Sequence, residues 1–276
     1  MELRSAIGQV AVLVGAVVWG CGLHGVPSAA SGPGGGFSWT SLGSPEAMAI
    51  GARSRSGPPG RTIRFAGHDW RVKASGNRVG PGPNYFSDDD RNVEVDSQGR
   101  LHLRIVQENG RWTCAEIISV ESFGHGRYRF DLAELPEDLD ARVVLGMFTW
   151  SDAPEYRHRE IDVEVSRWGN PENDNAQFVV QPYTVARNIV RFTIPKDAKS
   201  TTHAFAWSSD RVTCESAEVQ GSPESRRVIK AHTFTQGIPR PGDENARINL
   251  WLMSGRAPAD GKPVEVVFSG FEFSKQ

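Results

Sequence analysis

The segment Arg159-Glu160-Ile161-Asp162-Val163-Glu164-Val165 places an acid at every second position. On a β-strand alternate side chains face the same way, so Glu160, Asp162 and Glu164 share one face and Ile161, Val163 and Val165 share the other. A solvated edge of an antiparallel sheet alternates polar and apolar residues by default. It does not call for three successive like charges, which repel one another. Two chemistries use such crowding. Oxygen ligands suit calcium or magnesium. Cleavage of a glycosidic bond needs one carboxylate ionised and another still protonated. Crowding supplies that inequality, because ionising one carboxyl raises the pKa of its neighbour.

Residues i and i+4 on an extended strand lie about 13 Å apart at Cα, whereas a retaining mechanism brings its two carboxyls to about 5–5.5 Å. Glu160 and Glu164 must therefore lean together over Asp162, on a strand that curves toward the substrate. Other segments carry side chains suited to the same groove. Gln177 and Gln181 share a face, as do Asn249 and Trp251, and as do Phe148 and Trp150. Aromatic rings meet the C–H faces of sugars, while amides and carboxylates meet their hydroxyls. Trp168, in the turn-rich Trp168-Gly169-Asn170-Pro171, falls just past the acidic strand and is expected near the groove mouth. His125 and His158 are each candidates for orienting a carboxylate or contacting substrate, although lone histidines are more often satisfied structural residues.

The elements that must position these residues are short strands. Leu101-His102-Leu103-Arg104-Ile105, Tyr128-Arg129-Phe130-Asp131-Leu132, Ile189–Ile194, His203–Trp207 and Val264–Phe268 all read as β, with Asp96-Ser97-Gln98-Gly99 as a turn. No helical periodicity persists for three turns and no internal repeat is present. The expectation is an all-β chain, a two-sheet antiparallel β-sandwich with a concave cleft, in one domain over residues 61–276.

Residues 1–30 read as an export signal, with Arg4 as the positive end and an apolar run from Val10 to Trp19 that is too short to span a bilayer. Ser28 and Ala30 suit signal peptidase, while Val18-Trp19-Gly20-Cys21 resembles a lipoprotein signal that would tether the chain to a membrane through Cys21. The expected location is secreted or lipid-anchored at the cell envelope. Residues 31–60, rich in Gly, Ser and Pro, read as a tether. Cys114 and Cys214 are then either a disulfide or two buried thiols. The chain carries 31 Lys plus Arg against 33 Asp plus Glu, without a basic cluster, which argues against a nucleic-acid partner. No Ser-His-Asp arrangement or phosphate-cradling glycine loop stands out.

Several ordered blocks together resemble glycoside hydrolase family 16, the lichenases, laminarinases and their relatives. They are Cys114-Ala115-Glu116, Phe123-Gly124-His125-Gly126-Arg127-Tyr128, Glu160-Ile161-Asp162-Val163-Glu164, Thr202–Trp207, Asn249-Leu250-Trp251, and Val264–Phe268 with Phe271-Glu272-Phe273. The resemblance implies a concanavalin-like jelly roll and a retaining endo-glycosidase, or a transglycosylase using the same residues, with a polysaccharide as partner and the protein as a monomer. It implies Glu160 as nucleophile, Glu164 as acid/base and Asp162 as their hydrogen-bonding neighbour. Glu116, Asn249 and Trp251 would line the sugar cleft, with Gln177 and Gln181 on a matching strand. His158 stands where lichenase-like members carry Trp, and Ile118 where an arginine is often found. A non-catalytic carbohydrate-binding jelly roll is the alternative. No cofactor is required, and a structural calcium is compatible with acidic turns such as Asp88-Asp89-Asp90.

Overall fold

The computed structural model describes residues 60–135 and 139–275. The export signal, Cys21 and the tether up to residue 59 lie outside the described residues. In chain order the strands are β1 (Thr62–Phe65), β2 (His68–Val72), β3 (Tyr85–Phe86), β4 (Val93–Val95), β5 (Leu101–Glu108), β6 (Arg111–Ser119), β7 (Gly126–Glu134) and β8 (Val143–Trp150). There follow β9 (Ile161–Val165), β10 (Ala176–Val180), β11 (Ile189–Phe192), β12 (Thr201–Trp207), β13 (Val212–Gln220), β14 (Ser222–Phe234), β15 (Asn245–Leu252) and β16 (Val264–Ser274). Helix among the described residues is confined to single 3₁₀ turns such as Arg157–Arg159.

One sheet runs β1-β2-β6-β15-β8-β9-β10-β11 and the other β4-β5-β16-β7-β12-β13-β14. Their pairings are antiparallel. Strand β6 leaves the first sheet to pair with β5 around Asn109-Gly110, two residues with positive φ of the kind a tight hairpin turn requires. The structure is the expected all-β jelly roll with a concave sheet.

Alternation explains the core. Ile161, Val163, Val165, Phe178, Ile248, Leu250 and Leu252 point inward from the first sheet. They meet Tyr128, Phe130, Phe205, Trp207 and Phe268 from the second, and each such burial stabilises by about 1.5–3 kcal/mol. Cys114 and Cys214 are buried free thiols, so the disulfide alternative does not hold. His125 packs edge-on against Trp207, a core partner rather than a carboxylate. Asp89 and Asp90 engage Arg91 and Arg61. Among the described residues no group of three or more His, Cys, Asp or Glu is arranged to hold a metal ion.

Candidate active site

Strand register turns the separate alternations into rows across the concave face, since directly paired residues point the same way. One row reads Arg191, Gln177, Glu164, Gly146, Asn249, Glu116. The next reads Ile189, Val179, Asp162, Phe148, Arg247, Ile118, Arg71. Glu160 lies just before β9 in extended conformation, two residues ahead of Asp162 and so on the same face, and Trp150, at the end of β8, is paired with Asn245. The three acids thus lie along one face near the middle of the sheet.

The floor between Glu164 and Asn249 is a glycine for a steric reason. A Cβ on Gly146 would lie 2.5 Å from Asn249 Oδ1, so the missing side chain is what lets Asn249 lean across. Its Nδ2 approaches Glu116 Oε2 at 3.5 Å. Glu116 is 1% exposed and compensated by Lys73 Nζ at 2.8 Å and Arg247 Nη1 at 3.3 Å. Arg247 reaches Asp152 Oδ1 at 3.3 Å through its other terminal nitrogen.

Each acid has a donor. Gln177 Nε2 donates to Glu164 Oε2, and Gln181 Nε2 donates to Asp162 Oδ2 at 3.2 Å. Burial and then the charge of Glu164 push Glu160 up from 4.5 to about 8, against the opposing pull of a hydrogen bond with Asp162 and the positive charge of Arg247. Asp162 is 4% exposed. Burial first, then the charges on both glutamates, hold it well above the usual carboxylate range. Burial also raises Glu164, which Gln177 and Arg191 partly offset. The cluster therefore keeps at least one proton at neutral pH, and the hydrogen bond between Asp162 and Glu160 is where it is shared.

Glu160 is delivered by an unusual turn. Tyr156, Arg157, His158 and Arg159 all have φ between 53° and 62°, the left-handed region that costs about 1–2 kcal/mol for each non-glycine residue. Tertiary bonds hold it. Ser151 N donates to His158 O at 2.7 Å and Thr149 Oγ1 to Arg159 O at 2.7 Å. The Arg159 side chain donates to Arg240 O at 3.1 Å and lies within 3.9 Å of Asp243 and Glu244 carboxylates. The turn stacks the His158 ring on Trp150 at 4.1 Å between centroids.

The concave face thus brings together Glu160, Asp162, Glu164, Glu116, Phe148, Trp150, His158, Gln177, Gln181, Asn249 and Trp251. Trp168 lies beside the groove, its ring 5.0 Å from the guanidinium of Arg191 in the Glu164 row, but at 3% exposure it is a covered part of the wall and not an open contact for substrate. Lys73, Arg191 and Arg247 were not singled out by sequence. The signal for Arg247 was present, two positions before Asn249 in the same alternation.

Three buried polar atoms without a protein partner, Gln177 Oε1, Asn249 Oδ1 and Arg247 Nε, belong to these rows. Buried polar groups normally have a partner, and these three lie together beside the acids, whereas His125 Nε2 and Glu244 Oε1, the other two unpaired among the described residues, lie outside these rows. The arrangement can share protons unequally and offer hydrogen bonds to a hydroxyl-rich ligand.

Among solved structures the chain is similar to a Bacillus licheniformis β-glucanase, with 18% identity over 75% of this chain and 92% of that one and a TM-score of 0.53. It is similar to a prokaryotic β-1,3-1,4-glucanase (lichenase) derived from a mouse hindgut metagenome, at 16% identity, 75% and 93% coverage and a TM-score of 0.51. A third is a Mycobacterium tuberculosis protein described as an immunostimulatory antigen and pseudo β-1,3-glucanase, at 19% identity, 72% and 88% coverage and a TM-score of 0.53. No family model and no curated protein matches the chain. At these identities the likeness establishes the jelly-roll fold.

Proposed function

We propose that the chain is a retaining endo-glycoside hydrolase of the family 16 kind, acting on a β-linked polysaccharide of the glucan or galactan type. Glu160 attacks the anomeric carbon and Glu164 protonates the departing oxygen; Glu164 then takes a proton from the incoming water that releases the sugar. Asp162 holds a proton against Glu160 and stabilises its carboxylate. Glu116, Asn249 and Gln177 meet hydroxyls, while Phe148, Trp150 with His158, and Trp251 meet the sugar rings. Export, by a cleaved signal or a lipid on Cys21, would give the enzyme access to polymer outside the cell.

The observation that carries this reading is the trio of acids spaced along the concave face, Glu164 and Asp162 each held by a glutamine amide and Glu160 by Asp162, beside the unpaired polar atoms. The test is purified protein against a panel of β-glucans and galactans, with Glu160→Gln as control. Turnover by the wild type that falls on the order of a thousandfold or more in a folded variant supports the assignment. Equal turnover in both overturns it. Products longer than the starting oligosaccharide would assign transglycosylation to the same residues.

A second reading, a glycan-binding jelly roll without catalysis, draws on one observation. Burial leaves Glu160 protonated near neutrality in the free protein, and a protonated carboxyl is a poor nucleophile. Calorimetric binding of a glycan that stays intact up to alkaline pH would select that reading.

A further inference from the structure

Where β6 turns over to pair with β5 lies a cavity of about 320 Å³ lined by Arg78, Asn84, Tyr85, Arg111, Trp112 and Gly255, among others. We propose that this cavity is a distal subsite for an anionic saccharide residue, one carrying a carboxylate or a sulfate ester. The proposal rests on the glycan-processing reading of the groove and specifies the class of polymer that fills it.

Two guanidinium groups flank one ring. Arg78 lies 5.2 Å and Arg111 4.4 Å from the centroid of Tyr85. Neither has a carboxylate partner among the described residues. The acid paired with Arg111 in register, Glu108, is engaged instead by Arg91 at 2.8 Å. Planar guanidinium forks recognise planar or tetrahedral oxyanions through paired hydrogen bonds, and Trp112 adds an apolar face for a sugar ring.

The cavity is built rather than incidental. Arg78 Nη1 donates to Pro83 O at 3.1 Å. Gly255, with φ +64°, makes room for that contact, since a Cβ there would lie 2.3 Å from Pro83 O and 2.6 Å from Arg78 Nη1. Asn84 is 3% exposed and ties the same loop to the end of β15 by donating to Leu252 O at 2.8 Å. Arg111 directly follows the Asn109-Gly110 turn, with its guanidinium over the Tyr85 ring.

Position links the cavity to the groove. Trp112 precedes Glu116 by four residues on β6, a distance of about 13 Å along the strand, and Glu116 shares a row with Glu164. A short oligosaccharide spans that distance. Lys73 reaches Glu116 Oε2 at 2.8 Å and the Phe86 ring at 4.1 Å, and Phe86 pairs with Cys114 between Trp112 and Glu116, so a polyanion would meet a further cation on its path.

The test uses calorimetric titration of the Glu160→Gln protein, which keeps any probe intact, with trigalacturonate, a sulfated galactan trisaccharide and neutral cellotriose. The expected result is at least tenfold tighter binding of one anionic probe than of cellotriose at low salt, weakening as salt rises. Arg78→Met/Arg111→Met should abolish that preference and leave cellotriose unchanged. The paired Lys variants should recover only part of it, because the charge is kept and the fork is lost. Which anionic probe prefers the site separates uronate from sulfate. Equal affinities for all probes, or an anionic preference that survives the double Met substitution, would overturn the proposal. Since no bond is cleaved, the outcome is independent of turnover, and a failure here leaves hydrolysis of neutral glycans standing.

Discussion

Replacing Glu160 by glutamine should stabilise the fold in alkaline solution and leave it nearly unchanged in acid. The folded-state carboxyl titrates at about 8 against an ordinary 4.5, so the native state holds a proton that the unfolded chain releases. A raised value of this kind contributes stability that is fully present below pH 4.5 and is lost as pH rises through 8. At 1.36 kcal/mol per pH unit the whole interval corresponds to about 5 kcal/mol. Glu160 keeps part of its side chain open to the groove, and water there screens the charge, which reduces the expected effect to the order of 2 kcal/mol. Urea unfolding of both proteins at pH 5, 7 and 9 is the assay. With m unchanged, the midpoint of the wild type should fall relative to the variant as pH rises. Midpoint differences that stay flat across this range would refute the argument that burial and crowding, rather than solvent, govern this carboxyl.

His203 should act in the opposite direction: it is 0% exposed, bonded to Thr201 and Ser216, and lowered by burial from 6.5 to about 4. Its contribution is present above pH 6.5 and lost as pH falls toward 4, by up to about 3 kcal/mol, and NMR titration should find its ring still neutral at pH 5. Gly146→Ala should push Asn249 aside, cost about 1 kcal/mol by overpacking, and raise KM more than it lowers kcat in assays on the best glycan substrate. Cys114 and Cys214, buried with thiols raised to about 12 or beyond, should resist labelling by a thiol reagent in the native protein. Both should label in urea, as peptide mass spectrometry would show.

The groove was legible wherever period-two alternation carried it. Glu160, Asp162 and Glu164, the paired glutamines, Asn249 with Trp251, and Phe148 with Trp150 all lie on the face their spacing demands. What alternation could not supply is register. Gly146 reads as an unremarkable strand glycine until β8 is aligned with β9 and β15, which places it between Glu164 and Asn249. Arg247 and Lys73 matter because they surround Glu116 across strand boundaries far apart in the chain. The left-handed course of Tyr156–Arg159 was invisible for another reason. Of those four residues only histidine is at all enriched at positive φ, and the conformation is imposed by Ser151, Thr149 and the segment around Arg240–Glu244. Turn-rich sequence placed Trp168 near the groove but does not report that the Arg191 guanidinium covers its ring.

That left-handed stretch also sets the phase of everything after it. A strand has only two ways to present its side chains, and a shift of one position exchanges them. The number of residues wound between Ser151 and Glu160 decides whether acids or aliphatics look out over the groove. A change of one residue in this segment must be absorbed within the turn itself, because passing it on to β9 would turn Ile161, Val163 and Val165 toward solvent and drive three carboxyls into a hydrocarbon interior. The short arc ahead of the acidic strand therefore keeps its reading frame.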